Sequence, residues 1–335
     1  MASTGPNPYI ALTGPLLMGS LVSFFLNGAF AMQVYHYYMN YASNDRRFFV
    51  CLVCVVVVVE FLHIVFSTHT TYTILALGFA DPRVLTNSPF SGAALPALNG
   101  TVGFCTQIFF AWRVLVLTKT TFGKVAAAII ALTAGMQCAA AFGVTVQFTM
   151  LARDISLLRT LKNTVIVWLA GSFTCDIVIS VTMVAVLYLA RGTTTYTSSK
   201  SVLNALIVHT VENGLITTAC ALVDLLTYLL LPNTWFYVCF EYLLGRLYAN
   251  VLLATLNGRQ RMRLAATSDH EFSMKSTGKN STNQAQVQLS NLRSYPTPSH
   301  QSSKTYPVVS VTTDVQVDDD SMLPKSKRSD SDMYP

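Results

Sequence analysis

The chain has 335 residues, 52% of them hydrophobic and only 11% charged, and its net charge is +6. A soluble domain carries about 25% charged residues; here none occurs before Asp45, and residues 257–335 hold 10 of the 22 basic and 8 of the 16 acidic ones. The 20 charges left to the first 256 residues cannot cover a soluble fold, so the bilayer is the expected solvent, and the modest, scattered positive charge excludes a nucleic-acid-binding face.

A helix crosses the hydrocarbon core with about 20 apolar residues, and seven segments meet that length. The first is Gly14–Tyr38, with no basic run before it and an apolar stretch too long for a cleaved leader. The second is Phe48–Tyr72. It contains Cys51 and Cys54, spaced like a redox or metal pair but set among valines, where the simpler reading is small apolar residues on a membrane helix.

A Pro-, Asn- and Ser-rich loop, Ala80–Asn99, precedes the third segment, Gly100–Leu117. The sequon Asn99-Gly100-Thr101 makes Asn99 a candidate glycosylation site there. The fourth segment, Val125–Met150, carries Gly135, Ala139 and Gly143 at four-residue spacing. Small residues on one face let backbones approach closely in lipid, so this helix is expected at the centre of the bundle, or at a dimer seam. The fifth, sixth and seventh segments are Thr164–Leu189, Val202–Leu231 and Trp235–Leu256, the last two joined by Pro232-Asn233-Thr234.

Orientation follows from basic residues in short loops. With the N-terminus outside, nine lie inside (Arg46, Arg47, Lys119, Lys124, Arg191, Lys200, Arg259, Arg261, Arg263) and four outside (Arg83, Arg153, Arg159, Lys162). Tyr35, Tyr37, Tyr38, Phe48, Phe49, Trp235, Phe236 and Tyr237 fall at segment ends, as interfacial belts require. From Asn257 to Pro335, 21 of the 79 residues are Ser or Thr with no long apolar run. Such a tail cannot offset its ordering entropy and is expected to be disordered and cytoplasmic. Its sequon at Asn280 would then be meaningless. Its clusters Asp318–Asp320 and Lys325–Arg328 suit either a solvated tail or phosphorylation and a docking segment for a cytoplasmic partner.

Ionisable groups inside spanning helices cost roughly 2.5–3.5 kcal/mol each on insertion scales, so they mark either packing or function. Glu60 and His63 lie in the second segment, Arg113 in the third and Asp176 in the fifth. His209, Glu212 and Asp224 lie in the sixth, and Glu241 and Arg246 in the seventh. Five acids face two arginines, so at least three carboxyls need a proton, a neutral donor or a cation. The pairs Glu60/His63 and His209/Glu212 are three residues apart and can each share a helix face. These nine residues form the candidate intramembrane polar site. The structural alternative is that they are interhelical glue. No catalytic signature, metal set or cofactor motif is present, and no lysine lies inside a predicted segment to form a retinal-type Schiff base.

Three stretches carry a resemblance. They are Trp168-Leu169-Ala170-Gly171-Ser172 with Asp176; Val211–Thr218; and Leu247-Tyr248-Ala249-Asn250 through Asn257-Gly258-Arg259. Together with Phe109–Arg113, Gln33-Val34-Tyr35 and Asp81-Pro82, they resemble a family of fungal, chiefly basidiomycete, membrane proteins. That family carries domain of unknown function 6534, corresponding here to residues 171–259. The resemblance implies a seven-helix body over residues 1–256 and shared polar positions Asp176, Glu212, Asn250 and Asn257; it supplies no function. Helix three ends in Ala111-Trp112-Arg113 and helix seven lacks Asn-Pro-x-x-Tyr, so rhodopsin-like receptors are similar only in helix count and orientation.

The expectation is an all-α integral membrane protein, not an enzyme, with no cofactor, whose partners are the lipid bilayer and a small ligand or ion. A receptor-like or sensory role leads. A proton- or cation-coupled transporter using the buried acids is the alternative, and a membrane scaffold acting through its tail comes third.

Overall fold

A computed structural model describes residues 9–78, 81, 85–118, 120–193 and 197–276, with side chains of 156, 193–202 and 259 onward excepted. The tail from 277, with Asn280 and both charge clusters, lies outside the described residues, as do Arg83, Lys119 and the side chains of Lys200, Arg259, Arg261 and Arg263. Among the described residues seven long helices lie in the unit formed by residues 1–279: α1 (Ile10–Asn40), α2 (Arg47–Tyr72), α3 (Phe90–Leu117), α4 (Thr121–Met150), α5 (Lys162–Thr193), α6 (Thr197–Leu230) and α7 (Phe236–Ser276). Among the described residues there is no strand, only one antiparallel bridge between Asn87 and Asp154.

Six of these helices, all but α7, are long and apolar enough to cross a membrane. The solvent explains why they are helices at all. Val55–Val59 in α2 is a β-branched run that favours strand in water. In hydrocarbon each backbone N–H and C=O must be satisfied within its own segment, and the helix does that. Large apolar side chains then point outward, such as Phe25, Phe61, Leu132, Val181 and Leu215, each more than half exposed. This is the reverse of a soluble surface and suits contact with lipid tails.

The core lies where α7 packs on α1, α6, α3 and α2, and where α3 packs on α4, α2 and α5. Thus α3 and α7 are central. The expectation of a central α4 fails: its Gly135 faces open space and Ala139 is exposed. The buried face of α4 is instead Ala127, Ile130, Ala134, Gln137, Ala141 and Val144. Close approach is made elsewhere. A Cβ added at Gly19 of α1 would meet the backbone Cα of Cys239 in α7 at 2.8 Å, and one at Gly100 would meet the Cβ of Ala141 at 2.6 Å.

Three boundaries differ from expectation. The third helix begins at Phe90, ten residues before Gly100, and takes Pro96 into its interior. The next backbone donor, Ala97 N–H, is given a partner by α4, the Thr145 Oγ1 at 3.1 Å, as neighbouring helices do for broken ladders in membranes. The second helix continues into a π-turn, Thr73–Leu77. The seventh runs on to Ser276, so residues 257–276, expected to be disordered, are helical. The lysines Lys124 and Lys162 sit in end turns of α4 and α5, away from mid-depth. The interfacial belt is only partial: Tyr35 and Phe48 are exposed, whereas Tyr37 is fully buried with its hydroxyl donating to Asp45 Oδ2 at 3.0 Å.

Candidate functional site

Polar groups gather at three levels along α7. The middle level is built on Arg246, which is wholly buried. Its Nη1 donates to the Glu60 carboxylate and, at 3.1 Å, to the Glu60 carbonyl; Nε donates to Ser23 Oγ at 3.0 Å. Its Nη2 lies 2.9 Å from His63 Nδ1. Arginine can only donate, so His63 accepts at Nδ1 and is the neutral tautomer with its proton on Nε2. Helices α1, α2 and α7 are thereby pinned together, and Glu60, His63 and Arg246 are one cluster.

The second cluster surrounds Asp176 of α5. Tyr248 of α7 donates to its Oδ2 at 2.8 Å and Gln107 of α3 to its Oδ1 at 3.3 Å. Gln137 of α4 donates to Gln107, and Ser172 of α5 donates to Gln137. Beside Asp176 lies a small cavity of about 30 Å³ edged by Thr106, Thr210, Asn213 and Thr217, polar enough for a water molecule. Nothing but neutral donors meets Asp176 here, so this is a polar file and not an ion pair.

The third level is nearest the N-terminal end of the bundle. Asp224 of α6 and Glu241 of α7 line one cavity of about 110 Å³ whose other walls include Trp168, Tyr228, Trp235 and Tyr242. Asp224 is 1% exposed. Both its carboxylate oxygens lack a hydrogen-bond partner, as do Glu241 Oε1 and the Tyr242 hydroxyl. A larger cavity of about 460 Å³ adjoins it, sharing Ile155, Leu158, Tyr228, Trp235 and Tyr237. Together they fall in the size range of small-molecule sites, roughly 300–1,000 Å³.

The segments over this end are stitched together. Ile155 N–H donates to Thr86 O at 2.9 Å and Ser88 N–H to Arg153 O at 3.0 Å. Arg159 donates to Asn233 Oδ1 at 2.7 Å, and Trp235 N–H to Ala11 O at 3.1 Å. Ala152 and Arg153 take left-handed backbone, with φ of 52° and 63°, to make the turn after α4.

The remaining sequence candidates are not drawn into these clusters. Arg113 is half-buried on α3, within electrostatic reach of His209. His209 Nε2 lies 3.0 Å from Asn213 Nδ2. Glu212 is exposed on α6, so its expected place inside the bundle is corrected: half-buried His209 sits at the edge of the packed face, and the offset of about 60° between residues three apart carries Glu212 past that edge. Asn99 is also corrected. It lies inside α3, 4% exposed, with Nδ2 donating to Glu241 O at 3.1 Å, out of reach of a glycosylating enzyme.

Sequence reasoning missed Gln107, Gln137, Ser172, Tyr242 and Tyr248, because it weighed ionisable groups and passed over neutral polar ones in mid-segment. Of the family positions, Asn250 and Asn257 turn out to zip α7 to α1. Asn250 bonds Gln33 and Leu26 O, and Asn257 donates to Gln33 O at 2.9 Å. Among the described residues no three of His, Cys, Asp or Glu are grouped to hold a metal ion.

An all-α bundle with six helices of membrane-crossing length and polar groups turned inward is an integral multi-pass membrane protein. Residues 172–261, from the start of the Asp176 cluster to just beyond Asn257, match the model of a family of unknown function (DUF6534). No curated protein and no solved structure matches the chain.

Proposed function

We propose that the protein is a receptor-like, non-enzymatic seven-helix sensor with its N-terminus outside. It takes a small molecule into the paired cavities at the N-terminal end of the bundle. It reports through α7 and the Ser/Thr-rich tail to a cytoplasmic partner. The observation that carries this is the aromatic-walled cavity pair beneath stitched connecting segments, with uncommitted polar groups inside it. As the seventh span, α7 falls outside the apolar six because it carries Glu241 toward the cavity and Arg246 and Asn250 into contacts within the bundle. The excess of basic residues in the opposite loops, nine against four, supports the orientation, and the resemblance to fungal seven-helix proteins supports the count.

The test is thermal unfolding of the full chain in lipid nanodiscs against a panel of cationic, anionic and neutral compounds of fewer than about a dozen heavy atoms. A compound at 100 times its Kd stabilises by about 2.7 kcal/mol. Val165→Phe, which fills the inner cavity wall, is expected to abolish that shift while keeping the fold. If no compound shifts the intact protein more than this variant, the reading fails.

A second reading, a proton- or cation-coupled carrier, is favoured by the Asp176–Gln107–Gln137–Ser172 file. It predicts proton or cation flux in proteoliposomes that falls at least tenfold in a folded Asp176→Asn variant. Equal flux from variant, intact protein and empty vesicles would dismiss it.

A further inference from the structure

Five acids lie in the bundle helices among the sequence candidates, and the structure treats them unequally. Glu60 holds Arg246, Asp176 has two neutral donors, and Glu212 is exposed. Asp224 and Glu241 are different. Three of their carboxylate oxygens are buried without a hydrogen-bond partner, and both side chains line the same cavity. A carboxyl in an apolar interior is stable only when something meets it. Among the described residues no Lys, Arg or His lines this cavity; Arg159 and Lys162 line the adjoining larger one instead. A carboxyl so placed is met by a proton, a neutral donor or an external cation, and the walls of this cavity favour the cation.

The walls narrow its chemistry further. Tyr228 and Tyr237 form an edge-to-face pair with centroids 5.4 Å apart, and Trp168 and Trp235 are buried beside them. Aromatic faces attract organic cations, most strongly where water is excluded. A hard metal ion would want six or more oxygens, which this largely apolar lining does not offer. The volume, about 110 Å³, suits a compact headgroup, with the adjoining larger cavity left for the rest of the molecule.

We infer that the inner cavity is an organic-cation site, binding a small ammonium-bearing molecule with its charge between Asp224 and Glu241 and its apolar surface against Trp168, Tyr228, Trp235 and Tyr237. This rests on the small-molecule reading above and names the ligand class. Tyr242, whose hydroxyl also lacks a partner, is placed to accept or donate one hydrogen bond to the bound molecule.

The experiment compares two isosteres, choline and 3,3-dimethylbutan-1-ol, which differ in carrying a quaternary nitrogen or a carbon. Both are titrated onto the full chain in nanodiscs with Tm as readout, alongside tetramethylammonium and benzyltrimethylammonium. At least one ammonium compound is expected to bind tenfold or more tightly than the uncharged isostere. Asp224→Asn and Glu241→Gln are each expected to weaken it at least tenfold. Their unliganded Tm should stay at or above that of the intact protein, because each variant removes an unmet acid. If the neutral isostere binds as tightly, or both folded variants keep full ammonium affinity, the organic-cation inference is overturned. If only uncharged or anionic compounds bind, and Val165→Phe abolishes them, the cavity reading survives and the ligand class is wrong. If nothing of any charge binds the folded protein, both fall together.

Discussion

Arg246→Met is expected to destabilise the protein by about 3–5 kcal/mol, the typical loss when one partner of a buried ion pair is removed. The substitution keeps an unbranched stem in the space but strips every donor from Glu60, His63 and Ser23 at once. Glu60 is 1% exposed and has no other described partner for its carboxylate. Most of the loss is therefore the stranded acid and not the absent arginine. Combining Arg246→Met with Glu60→Gln is expected to recover a substantial part of the loss, measured as Tm and denaturant midpoint in detergent micelles. Contacting residues couple by about 0.5–3 kcal/mol in such cycles. Losses that simply add would show that Glu60 does not depend on Arg246.

The second large effect is steric. Gly19→Ala puts a methyl 2.8 Å from the Cys239 Cα and 3.3 Å from its carbonyl oxygen. The obstacle is helix backbone, which cannot rotate away as a side chain can, so α1 and α7 must separate. The expected loss is about 1–3 kcal/mol, the usual range for overpacking, and Gly19→Leu is expected to lose more. The same helix supplies its own control. Gly28 faces open space, with nothing within 4 Å of an added Cβ. Gly28→Ala should be neutral or stabilise by up to about 1 kcal/mol through helix propensity. Equal Tm for Gly19→Ala and Gly28→Ala would show that the α1–α7 contact is looser than the structure has it.

The helices were legible in the sequence because the bilayer imposes a minimum apolar length, and length is a one-dimensional property. Their contacts were not. Periodicity gives a helix a face without saying which neighbour it meets, so the Gly135–Ala139–Gly143 row looked like a central packing seam, whereas Gly135 faces open space, Ala139 is exposed and only Gly143 meets a neighbour, Thr164 of α5. The start of α3 was hidden by residues that form turns in water. Pro96 and Asn99 read as a loop, yet in the bundle Asn99 has Glu241 O to bond, and Gly100, read as the helix start, has Ala141 to approach from mid-helix.

The same limit applied to the polar site. That buried acids outnumber arginines was countable. That Glu60 would take Arg246, 186 positions away, was a matter of packing. So was the result that Asp224 and Glu241 were left over together. The neutral Gln107 and Gln137 gave no signal at all, since an amide in a membrane helix only becomes informative once its neighbour is known.

Glu241 and Tyr242, Arg246, Tyr248, Asn250 and Asn257 all belong to one unbroken helix that continues to Ser276. From Glu241 to Ser276 that helix rises about 50 Å at 1.5 Å per residue. A helix bends far less readily than a loop, so α7 is a stiff rod whose near end forms a cavity wall and whose middle is bonded to α1, α2 and α5 through Arg246, Tyr248, Asn250 and Asn257. Under the receptor-like reading proposed above, a small turn of the whole rod would carry a change at Glu241 to the far end, and transmission of that kind requires no chain of intermediate residues, only stiffness.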